Sequence, residues 1–131
     1  MEIIKNDNCI HTLYEDHNNF INFCPSRGGI ITNWVVNDHQ ILYFDQKRFS
    51  DSSKTIRGGI PILFPICGNL DNKSLFGENF LDLRQHGFAR DQQWNYEFNQ
   101  AENTLCLSLS DNKNTRKYYP HSFHLKIEIT Y

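Results

Sequence analysis

The sequence predicts an all-β fold in which antiparallel sheets pack as a sandwich. Apolar side chains recur at every second residue in several segments, and no window shows the 3.6-residue period of an amphipathic helix. Aromatic residues make up 14% of the chain, which suits a β-rich core. The length of 131 residues fits one domain, and 39% hydrophobic with 21% charged residues is the composition of a globular protein.

The first half of the chain predicts four short strands, each bounded by turn-forming residues. The first two cover residues 10–14 and 20–23. The next two, residues 30–36 and 40–44, are separated by Asn37 and Asp38, a pair that favours a tight hairpin turn.

The second half of the chain shows the clearest alternation. Residues 91–98 place three aromatic side chains on one face, and residues 105–109 carry leucine at every second position. Residues 122–131 alternate apolar and polar side chains up to the last residue. Because this pattern is still running at Tyr131, we expect residues 1–131 to form one incomplete domain.

Other segments predict short connections. Residues 114–119 favour a single helical turn that begins at Asn114 or Thr115 and ends at Pro120. Residues 49–54 and 69–83 are polar and predict loops.

Charge and hydropathy exclude several kinds of partner. The net charge is −2, and the basic residues form no stripe that could neutralise a nucleic-acid backbone. The longest apolar run is short and contains two prolines, so no membrane-spanning segment is expected. The N-terminus lacks the pattern of a signal peptide, which predicts a cytoplasmic location.

Cysteines and histidines offer no metal-binding pattern. The four cysteines are far apart and form no CxxC pair, so we interpret them as reduced, mostly buried thiols rather than disulfides or metal ligands. They are Cys9, Cys24, Cys67 and Cys106. His121 and His124 lie on a predicted strand three residues apart, so we expect them to project to opposite faces.

The segment RGGIPILFP, at residues 57–65, has features of a binding segment. Two glycines beside Arg57 allow a close backbone approach, and Pro61 and Pro65 exclude a regular central strand. We expect a stiff, irregular, buried segment that presents Arg57 from a fixed position. Arginine suits bidentate contact with hydroxyls, carboxylates or phosphate. On the residues alone, a structural arginine paired with a core carboxylate is an equal alternative.

The segment QHGFAR, at residues 85–90, brings an amide, an imidazole and a guanidinium within six residues. Gln85, His86 and Arg90 could make the directional hydrogen bonds that a polyhydroxylated ligand needs. The alternative is a polar loop whose side chains bond to nearby backbone groups.

Taken in order, RGGIPILFPICG, QHGFAR and the following Trp94 resemble the aldose 1-epimerase superfamily, in the branch that contains hexose-6-phosphate mutarotases. PSRGGIITNW at residues 25–34 and TRKYYPHSF at residues 115–123 resemble the same branch. The resemblance covers nearly the whole chain and is weakest at residues 69–83.

This resemblance implies a galactose mutarotase-like β-supersandwich, of which the chain would be the N-terminal part, with the sugar in a cleft on one concave sheet. It also implies substrate contacts for Arg57, Gln85 and Arg90, and phosphate recognition by arginines in phosphosugar-specific members. His86 would lie in the same wall. Arg27, also followed by two glycines, is assigned to a turn.

The implied activity interconverts the α and β anomers of a hexose or hexose 6-phosphate. Ring opening needs a general acid and a general base, and no metal or organic cofactor. The family's catalytic histidine and glutamate are expected downstream of Tyr131, so no catalytic residue is predicted here. Glu78 and Asp82 lie in the variable loop, and Glu128 faces away from the apolar side of its strand.

Three functions are therefore weighed. The first is the substrate-binding part of an epimerase, with a small sugar or sugar phosphate as partner. The second is a non-catalytic carbohydrate-binding remnant of the family, and the third is a β-sandwich interaction domain without sugar function. The arginines are compatible with free aldose and phosphosugar alike. An exposed sheet edge also predicts self-association or poor solubility.

Overall fold

The computed structural model describes residues 1–6, 9–71, 74–75, 78–79 and 83–130. These residues form ten strands and one short helix, α1 (Gln46–Phe49). The strands are β1 (Glu2–Lys5), β2 (His11–Asp16), β3 (Asn19–Cys24), β4 (Ile30–Val36), β5 (His39–Gln40), β6 (Ser74–Leu75), β7 (Glu78–Asn79), β8 (Asn95–Asn99), β9 (Thr104–Ser110) and β10 (His124–Thr130). Single 3-10 turns occupy Pro25–Arg27, Ala89–Asp91 and Thr115–Lys117.

Two antiparallel sheets dominate the structure and confirm the all-β prediction. One has five strands in the order β1-β2-β3-β4-β5, and the other has three in the order β10-β9-β8. A third, two-stranded sheet joins β6 and β7. Neighbouring strands pair in chain order, as hairpin connections require.

The core lies between the two large sheets. Side chains of β2 and β3 meet those of β9, with Trp94 buried among them at 1% exposure. The ring of Tyr96 in β8 packs edge-on against Phe23 of β3, with ring centroids 5.4 Å apart. Each such large apolar side chain contributes roughly 1.5–3 kcal/mol when it leaves water.

The strands β9 and β10 show how alternation produces this core. Leu105, Leu107 and Leu109 are all buried, as their spacing predicts. Across the ladder, Leu107 pairs with Ile127 of β10, which is 36% exposed. Since β10 is the outer strand of its sheet within the described residues, its predicted apolar face is only partly covered.

In the first half, most predicted strands are confirmed with shifted ends. The segments 10–14 and 20–23 extend to β2 and β3, and residues 30–36 form β4. Asn37 and Asp38 form the predicted turn, with φ values of 49° and 65°. The prediction of a strand at 40–44 is wrong beyond Gln40, because the chain leaves β4 there and crosses to a bridge between Phe44 and Gly58.

The second half also corrects several boundaries. The strand predicted at 91–98 begins only at Asn95, because the Trp94 amide donates to the Pro25 carbonyl instead of joining the sheet. Of the loop predicted at residues 49–54, residues 50–54 are a loop, whereas Phe49 is the last residue of α1. The loop predicted at 69–83 contains β6 and β7, and its residues 72–73, 76–77 and 80–82 lie outside the described residues.

The helical turn predicted at residues 114–119 is confirmed as the 3-10 turn Thr115–Lys117, with Asn114 at its N-cap position. The Asn114 side chain makes no capping hydrogen bond, and the Asn112 side chain instead accepts the amides of Asn114 and Thr115 at 2.8 and 3.1 Å. His121 lies before β10, which corrects its assignment to a strand. His124 begins β10 and contacts the Ser110 hydroxyl at 2.8 Å.

Three further features bear on the kind of protein. No helix among the described residues is long and apolar enough to cross a membrane. In the same part of the chain, no group of three or more potential metal-ligating side chains occurs. All four cysteines are thiols, but only Cys24 is buried, so the expectation that most are buried is wrong.

Candidate functional site

The segments RGGIPILFP and QHGFAR meet at Phe64. Gly87 forms a parallel bridge with Phe64, and the amides of Phe88 and Ala89 both donate to the Phe64 carbonyl, at 2.8 and 3.2 Å. Gly87 has φ of 68°, and a Cβ at this position would lie 2.0 Å from the Phe64 oxygen. The contact therefore requires glycine in QHGFAR.

The turn Pro25–Arg27 supports QHGFAR from another side. The Gly28 amide donates to the Gln92 carbonyl at 2.9 Å, and the Trp94 amide donates to the Pro25 carbonyl at 2.9 Å. Four residues beyond QHGFAR, Trp94 donates its indole N–H back to the Ala89 carbonyl at 2.9 Å. Three segments singled out in the sequence are thus tied together by backbone hydrogen bonds.

Arg57 lies at the start of RGGIPILFP, far along the segment from Phe64. Its carbonyl accepts the Asp45 amide at 3.1 Å, while neighbouring Ile56 packs inward against the cluster around Phe49. The Arg57 side chain is exposed and forms no hydrogen bond or ion pair with any described residue. This geometry gives no support to the alternative of a structural arginine paired with a core carboxylate.

The expectation that the whole segment is buried is only partly correct. Arg57, Gly58 and Pro61 are exposed, and Ile60 keeps 42% of its surface in water. The irregular backbone is confirmed, because Ile60 and Phe64 each make only an isolated bridge. The two prolines leave no regular strand between them.

His86 is held by a reciprocal pair of hydrogen bonds with Gly68. The His86 amide donates to the Gly68 carbonyl at 2.8 Å, and the Gly68 amide donates to His86 Nδ1, also at 2.8 Å. Because Nδ1 acts as an acceptor, the neutral ring carries its proton on Nε2. His86 therefore presents an N–H donor on the side of the ring away from Gly68.

Arg90 and Gln85 lie close together in the same segment. The Arg90 guanidinium donates to the Gln85 carbonyl at 3.2 Å, and Arg90 is half-buried. The Gln85 side chain is exposed. Gln85, His86 and Arg90 thus form one group, while Arg57 makes no hydrogen bond with any of them.

Arg27 has a structural role, as predicted. Its guanidinium donates to the Phe49 carbonyl and lies 4.3 Å from the centroid of the Phe49 ring. The turn Pro25–Arg27 is thereby fastened to α1.

A cleft of about 130 Å³ borders QHGFAR. Arg84, Gln92 and Tyr118 line it together with Gly87 and Phe88, and none of the four predicted side chains does. Pockets that enclose a small molecule usually measure about 300–1,000 Å³, so this cleft is small for a complete site. Tyr118 lies in TRKYYPHSF, but the resemblance assigned it no role, and Gln92 lies in none of the motifs. Only the fold brings these two residues together at the cleft.

Residues 12–130 match the aldose 1-epimerase family. The chain belongs to that family.

Its relatives agree with the branch that the motifs indicate. A protein of Cenchrus ciliaris named "Putative glucose-6-phosphate 1-epimerase" is 32% identical over 111 residues, which are 78% of this chain and 31% of that protein. A Salmonella typhimurium protein of the same name is 29% identical over 103 residues, or 76% of this chain and 32% of the relative. The chain thus spans about a third of the length of these curated relatives.

Solved structures show the same architecture. A Synechocystis sp. PCC 6803 protein superposes with a TM-score of 0.80 at 39% identity, over 98% of this chain and 46% of that one. A galactose mutarotase related enzyme from Lactobacillus acidophilus gives a TM-score of 0.65 at 26% identity, over 91% of this chain and 38% of that one. The fold is therefore part of a galactose mutarotase-like β-sandwich.

Gly68 supports the candidate residue His86, and no motif in the sequence pointed to this role. Its backbone fixes both the main chain and the ring of His86. The signal was present as the glycine at the end of RGGIPILFPICG, eighteen residues before its partner. Sequence patterns report on neighbouring residues, so they could not predict a backbone contact between residues so far apart.

Proposed function

We propose that this chain is the substrate-binding part of an aldose 1-epimerase that interconverts the α and β anomers of a hexose or hexose 6-phosphate. The observation that carries the proposal is the joining of RGGIPILFP to QHGFAR in a family member, with the Arg57 side chain exposed and without a hydrogen-bond or ion-pair partner among the described residues. An unpaired guanidinium on an ordered segment suits recognition of hydroxyl or phosphate oxygens.

Each proposed side chain offers a different kind of hydrogen bond. Arg57 and Arg90 supply charged donors, which can bind the hydroxyls of a free aldose or the phosphate of a phosphosugar. Gln85 can donate and accept through its amide. His86 supplies the Nε2–H donor that its bond to Gly68 leaves free to point at a sugar hydroxyl.

Anomer exchange needs an acid and a base on opposite sides of the anomeric carbon. One group removes the proton from O1 while the other protonates the ring oxygen, and the ring then closes on the other face of the carbonyl. Residue by residue, nothing in this chain matches the family's histidine and glutamate motifs. We therefore assign both groups to a part of the epimerase domain that these 131 residues do not include.

Among the residues that the structure describes, no carboxylate is hydrogen-bonded to His86 as an acid–base partner would be. His86 Nδ1 is occupied by the Gly68 amide, and no described carboxylate bonds to the ring. Glu128 forms an ion pair with Lys126 at 2.7 Å, on the exposed edge strand β10. These observations favour binding over turnover for the chain alone.

The second candidate is a non-catalytic, carbohydrate-binding remnant of the family. The same lack of an acid–base pair favours it. The coding sequence beyond the codon for Tyr131 separates the two candidates. A continuing frame that encodes the histidine and glutamate motifs supports the epimerase, whereas an in-frame stop codon supports the remnant.

Exchange spectroscopy by NMR tests whether the chain alone only binds the sugar or also catalyses anomer exchange. The rates of α–β exchange of glucose 6-phosphate and of glucose are measured with and without the chain. We expect no acceleration by the chain alone. Acceleration that disappears in Arg57→Ala and persists in Arg27→Ala would show that the chain is itself active. That result would contradict the proposal that this chain supplies only substrate binding.

A further inference from the structure

Two cysteines meet in the apolar cluster that contains Ile10, Ile30 and Phe49. Cys9 lies just before β2, and Cys24 is the last residue of β3. Their sulfur atoms are 2.8 Å apart. Cys24 is completely buried and Cys9 is half-buried, so only Cys9 is accessible to solvent.

The surrounding structure holds both thiols in place. Cys24 pairs with Ile30 across the ladder of β3 and β4 and packs with Ile10 and Phe49. The Cys9 carbonyl lies 3.3 Å from the His11 ring nitrogen. A disulfide bond is about 2.05 Å long, so the sulfurs must approach by less than an ångström to bond.

We propose that Cys9 and Cys24 are an oxidation site, at which a peroxide converts the two thiols into a disulfide. The resting pair is reduced, in agreement with the thiol state of all four cysteines. The proposal is independent of sugar binding and of catalysis.

The reaction proceeds in two balanced steps. The Cys9 sulfur attacks one peroxide oxygen, the O–O bond breaks, and Cys9 becomes a sulfenic acid as one water leaves. The Cys24 sulfur then attacks the Cys9 sulfur, the S–O bond breaks, and the departing hydroxide takes the Cys24 proton as a second water. The two thiols lose two electrons and two protons, and the peroxide is reduced to water.

The two positions suit these different roles. Cys9 reaches solvent and meets the oxidant first. Burial, and next the contact with Cys9, raise the pKa of Cys24 to about 11, so Cys24 stays a thiol at neutral pH and its attack depends on its sulfur already lying 2.8 Å from that of Cys9. Cys67 is exposed and Cys106 is half-buried, and within the described structure neither contacts another sulfur.

The disulfide would also connect to the support of QHGFAR. Cys24 leads directly into the turn Pro25–Arg27, where Pro25 accepts the Trp94 amide. A disulfide between Cys9 and Cys24 would close a loop between residues fifteen positions apart, which restricts the conformations of the unfolded chain. We expect the oxidised chain to unfold at a temperature at least about 5 °C higher than the reduced chain.

Peptide mapping of the whole chain tests the site. The chain is treated with hydrogen peroxide, remaining thiols are alkylated under denaturing conditions, and peptides are separated without reductant. We expect a peptide pair that joins Cys9 to Cys24, lacks two hydrogens and separates on addition of dithiothreitol. Cys67→Ser is the matched control and should give the same pair, whereas Cys9→Ser should give none and lose the gain in Tm.

Two outcomes would overturn the proposal. One is a chain in which Cys9 reaches the sulfinic acid while Cys24 remains alkylatable. The other is a disulfide that involves Cys67 or Cys106 in place of the Cys9–Cys24 pair. Both are read from the wild-type digest, so the test holds even if Cys9→Ser fails to fold.

Discussion

At the scale of single residues, Arg27 and Arg57 share a sequence context and differ in surroundings. Each precedes two glycines. Arg27 bonds to the Phe49 carbonyl and stacks on the Phe49 ring, whereas the Arg57 guanidinium has no partner among the described residues. The first arginine therefore contributes to folding, and the second remains available for a ligand.

This contrast predicts opposite effects of two matched substitutions. Arg57→Ala should change the free energy of unfolding by less than about 0.5 kcal/mol, because the exposed side chain makes no hydrogen bond or ion pair with a described residue. The same change should weaken binding of glucose 6-phosphate by about tenfold or more. Arg27→Ala should cost about 1–3 kcal/mol of stability and leave affinity unchanged. Urea unfolding and calorimetric titration measure both quantities, and equal losses of affinity would contradict the contrast.

The buried thiol of Cys24 predicts a loss of stability at alkaline pH. Burial, and secondly the contact with Cys9, raise its pKa from an ordinary 9.0 to about 11. Between these values the unfolded chain has lost the proton that the folded chain retains, so stability falls as pH rises from 9 to 11. The expected contribution is roughly 2 kcal/mol, measured under reducing conditions as the difference from Cys24→Ala. A difference that does not vary with pH would refute it.

At the scale of elements, the candidate site depends on contacts between segments that are far apart in sequence. Phe64 accepts the amides of Phe88 and Ala89, and Gly68 holds His86. The close approach leaves no room for a side chain at Gly87, whereas a Cβ on Gly68 would meet nothing within 4 Å. Both glycines have positive φ, so they differ chiefly in the space around them.

Alanine substitution separates the two effects. Gly68→Ala should lower the free energy of unfolding by about 1 kcal/mol, from backbone strain alone. Gly87→Ala should cost at least about 3 kcal/mol, because the new Cβ must displace the Phe64 carbonyl and break its hydrogen bonds. Chemical denaturation of the two variants measures the difference. Similar losses of stability in the two variants would contradict the close contact between Gly87 and the Phe64 carbonyl.

The sequence predicted elements whose packing is local and missed those fixed by distant partners. The leucines of β9 and the turn at Asn37 follow from alternation and turn chemistry alone. β1 was missed because Ile3 and Ile4 are adjacent and give no alternation. The start of β8 depends on the bond from Trp94 to Pro25, which no local pattern shows. Likewise the motifs located QHGFAR, but the role of Gly68 needed the fold.

At the scale of the whole molecule, the three-stranded sheet has an open edge. β10 pairs only with β9 among the described residues, and Ile127 is 36% exposed on it. Unpaired backbone groups beside apolar side chains favour pairing with another chain. Self-association stays a prediction, and β10 is the edge at which we expect it.

Sedimentation over a range of concentrations tests this association. We expect the wild-type chain to form dimers or larger species as concentration rises, and Ile127→Lys to reduce them by adding charge to the edge strand. Tyr118→Lys is the control, since Tyr118 is 39% exposed but lies outside the strands. A monomer at every concentration, with cooperative unfolding, would contradict the prediction.

We propose that RGGIPILFP and QHGFAR together form one wall of a sugar-binding cleft. A titration of the ¹⁵N-labelled chain with glucose 6-phosphate, followed by NMR, tests this arrangement, with glucose and inorganic phosphate as parallel titrants. We expect saturable shift changes centred on the amides of Gly58, Gly59, Gly68 and Gly87, which are lost in Arg57→Ala and retained in Arg27→Ala. Absence of saturable change with every titrant, or changes centred elsewhere in the fold, would contradict it.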